Sequence, residues 1–263
     1  MTFKRKTIIL MGIALILFQC APKAVKPDLD SAVFQSRVIF SGQVVKLNAT
    51  TLPAIQTAKP SMIVKVNKLY RGPKGLQGIT GKNITVVYDK MEFRPDQKAI
   101  FFTNELAMGN SMVVSLYHCI TGGDMTGDVE GRISAAVEAV PDRVLKERLA
   151  KAELVIVGTV KMTEPVQLDS AMDSEHNPEW HEAIIDIESV EKGEHQQSTV
   201  TVYFPASKDV AWYKSPKFKS GQEGIWILHR NQQKNIKFEQ YTALDPMDFY
   251  PKEKLELIRK LLK

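Results

Sequence analysis

Apolar and polar positions alternate along this chain in short runs, and the runs come twice in the same order. Segment 37–44 (RVIFSGQV) corresponds to 153–160 (ELVIVGTV), with glycine at the same step, Gly42 and Gly158. Segment 63–72 (IVKVNKLYRG) corresponds to 184–193 (IIDIESVEKG), 85–88 (TVVY) to 200–203 (VTVY), and 93–102 (FRPDQKAIFF) to 218–227 (FKSGQEGIWI). Four blocks recur in order, offset by 115 to 125 residues, which predicts an internal duplication. The period-two alternation of Val64 and Val66, and of the matching residues in 184–190, predicts half-buried antiparallel strands. Gly42 and Gly158 fall inside strand patterns, where glycine marks a bulge or sharp coil. The Arg71-Gly72-Pro73 and Lys192-Gly193 steps predict turns that end strands. Helical spacing predicts two helices, over 141–152 with Pro141 in its first turn, and over 251–262 with Leu255, Ile258, Leu261 and Leu262 on one face.

The fold class expected is therefore mainly β with short helices: two tandem Greek-key β-barrels of the OB type, each accompanied by a helix. The expected boundaries are a signal peptide over 1–19, a tether over 20–27, a first barrel over 28–132, a connection over 133–140 and a second barrel over 141–263.

The N-terminal stretch changes this picture. Lys4-Arg5-Lys6, an apolar run over 7–18 and then Gln19-Cys20-Ala21-Pro22 have the layout of a secretory signal. The apolar run has 12 residues, against roughly 20 for a permanent transmembrane span. Leu17-Phe18-Gln19-Cys20 resembles a bacterial lipobox, which implies acylation of Cys20 and a lipid anchor in the cell envelope. Phe18 and Gln19 depart from the small residues of the strict motif. An ordinary signal peptide with an incidental cysteine, or an uncleaved anchor, is the alternative. Ala21, with no acidic residue beside it, is similar to lipoproteins sent to an outer membrane facing the periplasm. Removal of 1–19 takes away three basic residues, so the formal charge falls from +5 to +2, and nothing in that balance implies nucleic acid. Cys119 is the second of two cysteines, so an acylated Cys20 leaves it without an intramolecular disulfide partner.

The runs 38–44, 64–72 and 95–102, with their second copies at 153–160, 184–193 and 218–228, are similar to bacterial members of the netrin-module and tissue-inhibitor-of-metalloproteinase-like barrels. That resemblance implies an OB-type barrel used as a binding module. The animal inhibitors chelate protease zinc through an N-terminal Cys-x-Cys, which this chain lacks, so protease inhibition does not carry over.

Candidate chemistry is sparse. His118-Cys119 suggests an activated thiol, but neighbours on a strand point to opposite faces. The segment 176–182 holds His176, His181, Glu179 and Glu182, yet the two histidines are five apart, which suits neither a helix face nor a strand face for metal binding. The stretch 122–131 is read as a turn-rich connection without calcium-loop spacing. Phosphate-loop, nucleophile-elbow and zinc-protease motifs are absent from the sequence. The segment 208–219 sets Trp212 and Tyr213 among four lysines, and with Trp180 it forms the candidate interaction surface. The expectation is a non-enzymatic envelope lipoprotein, bound to membrane through its N-terminal lipid and to an envelope protein through such a surface. No cofactor or metal is expected. A carbohydrate- or peptidoglycan-binding module, or an enzyme with an unrecognised site, are the alternatives.

Overall fold

The structure is a computed structural model, and it describes residues 27–52, 59–108, 112–125, 127–166, 178–230 and 241–263. The signal segment, Cys20, most of the tether and His176 lie outside these residues. The chain divides into two compact units between Asp124 and Met125.

In the first unit α1 (Leu29–Gln35) starts at Asp28, whose carboxylate accepts from Ser31 N at 2.8 Å and so caps an otherwise unpaired amide. Five strands follow: β1 (Val38–Leu47), β2 (Ser61–Arg71), β3 (Asn83–Val87), β4 (Lys98–Met108) and β5 (Met112–Thr121). They close in the order β1-β2-β3-β5-β4, with β4 returning to β1 and β3 parallel to β5. Phe40, Val64, Val66, Ile84, Val86 and Phe101 alternate inward and fill the barrel, and Phe93 from the β3–β4 connection plugs it.

The second unit begins with α2 (Val129–Lys151), continues through β6 (Leu154–Pro165), β7 (Trp180–Lys192), β8 (Thr199–Pro205), β9 (Glu223–Arg230), β10 (Tyr241–Thr242) and β11 (Phe249–Tyr250), and ends on α3 (Leu255–Leu262). The sheet order is β10-β8-β7-β6-β9-β11, and β10 also pairs with β9. The closed ring is therefore β6-β7-β8-β10-β9, the first barrel's order with the same parallel pair, while β11 adds to β9. Two tandem OB-like barrels stand as the fold. Ile156, Ile185, Val202, Phe204 and Trp226 fill the second, and Phe218 plugs it as Phe93 plugs the first. The outward sides of Val155, Val157, Ile225 and Ile227 are covered by Leu145 and Leu149 of α2 and Ile258 of α3.

The register refines the duplication. Gly42 lies at a register shift between β1 and β2, and Gly158 at the matching shift between β6 and β7. Both are closed to a side chain. A Cβ at Gly158 would lie 2.3 Å from the Asp186 carbonyl oxygen, and one at Gly42 would lie 2.6 Å from Val64 Cγ1. Gln97 and Gln222 fasten equivalent turns, each side-chain oxygen accepting from the amide three residues earlier, Arg94 at 2.9 Å and Lys219 at 3.1 Å. One block is displaced by a residue from the expected alignment. Ile84 pairs with Val64 and Val200 with Ile185, so Ile84, not Thr85, is the counterpart of Val200. The expected alignment would turn Thr85 inward where Val200 is buried, because a one-residue slip exchanges the two faces of a strand.

The helix expected over 141–152 begins at Val129, so the expected connection over 133–140 and the end of the turn-rich stretch 122–131 are helical. Asp128 caps it, accepting from Gly131 N at 3.0 Å, and Pro141 sits inside the helix. Interior proline costs one backbone hydrogen bond, a loss that the packing of Leu145 and Leu149 offsets. Among the described residues no helix is long and apolar enough to cross a membrane.

Candidate functional site

The two barrels differ most between their third and fourth strands. Val87 and Tyr203 are equivalent by register, as are Lys98 and Glu223. The first connection covers eleven steps, from 87 to 98, and the second covers twenty, from 203 to 223. Closing the barrel needs only the shorter one. The second therefore carries an insertion of nine residues that the duplicated fold does not require, and it contains the aromatic and lysine-rich segment singled out above.

Hydrogen bonds and a ring contact fasten the insertion. Asp209 organises a turn: its Oδ1 accepts from Ala211 N at 2.7 Å, and its carbonyl accepts from Trp212 N at 2.9 Å and Tyr213 N at 2.8 Å. Ser215 Oγ donates to the Leu244 carbonyl at 2.6 Å, and Lys217 Nζ to the Trp212 carbonyl at 2.9 Å. Trp212 leans on Trp180, the first residue of β7, with ring centroids 6.1 Å apart. Trp180 is only 8 % exposed, so it serves as the floor of the loop, and Trp212 is half-buried upon it. Tyr213 is 58 % exposed and Val210, not singled out in the sequence, is 74 % exposed. Lys208, Lys214, Lys217 and Lys219 surround them, with Lys214 Nζ 5.5 Å from the Tyr213 ring. A hydrogen-bonded turn that offers an aliphatic and an aromatic side chain to water has the character of an interface anchor. Val210 was missed because a single valine beside lysines carries no periodic signal. Its exposure follows from the turn at Asp209.

Other candidates are structural. Cys119 packs against the first core with its Sγ 4.0 Å from Met91 Sδ, while His118 lies over Phe102, so the two side chains do point apart. His181 rests against Phe204 with ring centroids 5.8 Å apart. On the outer wall of β8, burial and then the Glu182 carboxylate push the Tyr203 phenol up to about 12. Among the described residues no group of three or more His, Cys, Asp or Glu is placed to hold a metal ion.

The sequence did not show a buried ionic cluster on the second unit. The side chain of Asp248 is 1 % exposed and accepts from Arg148 Nε at 2.6 Å, Leu244 N at 2.8 Å and Asp245 N at 2.9 Å. His229 Nε2 lies 3.7 Å from Asp248 Oδ1 and has no hydrogen-bond partner among the described residues, while the ring bonds the Lys151 backbone. Burial raises the Asp248 carboxyl pKa, against the guanidinium and the two amides, and burial followed by the Arg148 charge lowers that of His229. The cluster ties α2 to the barrel. No family model matches the chain, and neither does any curated protein.

Proposed function

We propose that this chain is a non-enzymatic cell-envelope lipoprotein, anchored through acylated Cys20, whose second barrel docks an envelope protein through the inserted loop. The observation that carries the reading is the pair of exposed side chains, Val210 and Tyr213, on a turn that the barrel does not need for closure. The filled cores favour recognition on the outside of the barrels. The hydrogen bonds of Asp209, Ser215 and Lys217 limit the conformations that the loop must give up on binding, which suits an anchor for a protein partner.

The test is photo-crosslinking in intact envelopes from the exposed position 211, with Val210 and Tyr213 present in one form and replaced by Val210→Ser/Tyr213→Ser in the other. A discrete protein adduct formed by the first and lost in the second supports docking. Adducts that are identical in both forms dispose of it. The double substitution leaves the Trp180–Trp212 floor in place and changes stability by less than about 0.5 kcal/mol, as expected for exposed side chains.

A further inference from the structure

The two units carry opposite charge. Residues 28–124 hold eleven Lys and Arg against seven Asp and Glu, net +4, and residues 125–263 hold nineteen against twenty-three, net −4. The duplicated register locates part of the difference. In the first barrel Gln43 on β1 lies opposite Lys65 on β2 and Lys98 on β4. In the second, Thr159 on β6 lies opposite Asp186 on β7 and Glu223 on β9. Residues directly opposite on neighbouring strands share a face, and Lys65, Lys98 and Asn83 are exposed, so this is the outer wall. The same two points of one fold thus bear two lysines in the first copy and two carboxylates in the second. Barrel formation demands neither sign.

The carboxylates are answered within their own unit. Lys252 Nζ lies 3.1 Å from Glu223 and 2.7 Å from the neighbouring Glu188, and Lys161 Nζ lies 4.0 Å from Asp186. Neither Lys65 nor Lys98 has an ion pair among the described residues. Asp96, close to Lys98 in sequence, accepts from Gln43 Nε2 at 3.0 Å. Strand spacing places the two lysine Cα atoms about 10 Å apart across Gln43. Lys46 and Lys82 are also exposed on this barrel.

We infer that this wall of the first barrel rests on the anionic headgroup layer of a bilayer, with Lys65 and Lys98 pairing with lipid phosphates. The wall is a sheet surface whose exposed register positions hold Asn83, Lys65 and Lys98. It suits a broad layer of charge better than an inserted ligand. A second copy of the chain is the poorer partner, because the carboxylates that would meet these lysines already have internal cations. The inference does not involve the loop over 206–222, so docking and membrane contact fail separately.

The test is co-sedimentation of the two-barrel chain from Ala21 onward, which holds both cores, with vesicles. One set is phosphatidylcholine alone, and the other contains about 30 mol % phosphatidylglycerol. Binding is expected to the anionic vesicles only, and to be lost between about 0.05 and about 0.5 M salt. Each lysine near such a surface strengthens binding about fivefold, so Lys65→Gln/Lys98→Gln weakens it roughly 25-fold, and Lys65→Arg/Lys98→Arg restores it. Lys146→Gln/Lys254→Gln, at exposed positions of the second unit, changes it less than about twofold. Thermal unfolding confirms that each variant is folded. Equal loss from both glutamine pairs, or equal binding to both vesicle types, overturns the inference. So does an absence of vesicle binding, with or without self-association that depends on Lys65 and Lys98.

Discussion

Arg71 and Lys192 occupy the same place in the two barrels, and each sends its charge to the last carbonyls of the helix that precedes its barrel. Arg71 ends β2 and donates to the Val33 carbonyl of α1 at 2.6 Å. Lys192 ends β7 and donates to the Leu149 and Ala150 carbonyls of α2 at 2.6 and 2.8 Å. A cation there gives the last carbonyls a charged donor, beyond the cap amides of Ser36 and Ala152 that already reach Val33 and Leu149, and meets the negative end of the helix dipole. The repeated unit is therefore a helix followed by a barrel, with the second strand clasping the helix. Charged hydrogen bonds contribute about 1.5–3 kcal/mol, so Arg71→Met and Lys192→Met should each lower unfolding free energy by roughly that amount. Denaturant melts read this directly. Unchanged midpoints would mean that the clasp is ornamental.

The Arg148–Asp248 pair should be the most sensitive polar contact in the second unit. Removing the guanidinium leaves a buried carboxylate with two amides only, a situation that costs about 3–5 kcal/mol. Arg148→Ala should accordingly destabilise the second unit far more than Arg143→Ala, whose Glu147 partner is exposed. Melts that follow tryptophan fluorescence report on the second unit, because all three tryptophans lie there.

His229 gives that unit a dependence on pH. Its pKa is lowered by burial and then by Arg148, so as pH falls below about 6.5 the unfolded chain takes up a proton that the folded state resists. Stability is therefore full above that value and declines beneath it. Asp248 and Glu153 act on the imidazole in the opposite direction, and the raised Asp248 pKa works against the loss, because the folded state takes up that proton before the unfolded chain does. Comparing denaturant midpoints at about pH 7.5 and about pH 5.5 should show a loss that His229→Gln reduces. A slope unaffected by the substitution would place the titration elsewhere.

Gly158→Ala should cost at least about 1–3 kcal/mol, because the new methyl meets the Asp186 carbonyl, which the strand pairing holds in place. Gly75→Ala, where a Cβ meets nothing within 4 Å, is the control and should be near neutral. Thermal midpoints of the two variants decide it.

Much of the fold was legible because strands with one buried face repeat every two residues, and because two copies of one pattern reinforce each other. Gly42, Gly158, Phe93 and Phe218 were visible in this way. The start of α2 was not, because Gly131 and Pro141 carry strong local signals against helix, and the cap at Asp128 with packing further along overrides them. The one-residue displacement of Thr85 was hidden because valine and threonine suit either face of a strand. The Arg148–Asp248 contact joins residues 100 apart, and no spacing rule reaches that far. The segment holding Trp212 was legible as a candidate, but Trp180 proved to be its buried support and Val210 its most exposed apolar member.

The brevity of β10 sets the order in which this molecule can be made. The first barrel owns all five of its strands by Thr121, so its ring can seal while the rest of the chain is still arriving. The second ring waits for Tyr241 and Thr242, two residues that join β8 to β9. A chain interrupted before them presents two unsatisfied strand edges with a core of Phe204 and Trp226 behind them, which is a template for aggregation. Translation stops within the β9–β10 connection should therefore yield insoluble material, whereas a stop soon after Thr121 should release a folded first barrel.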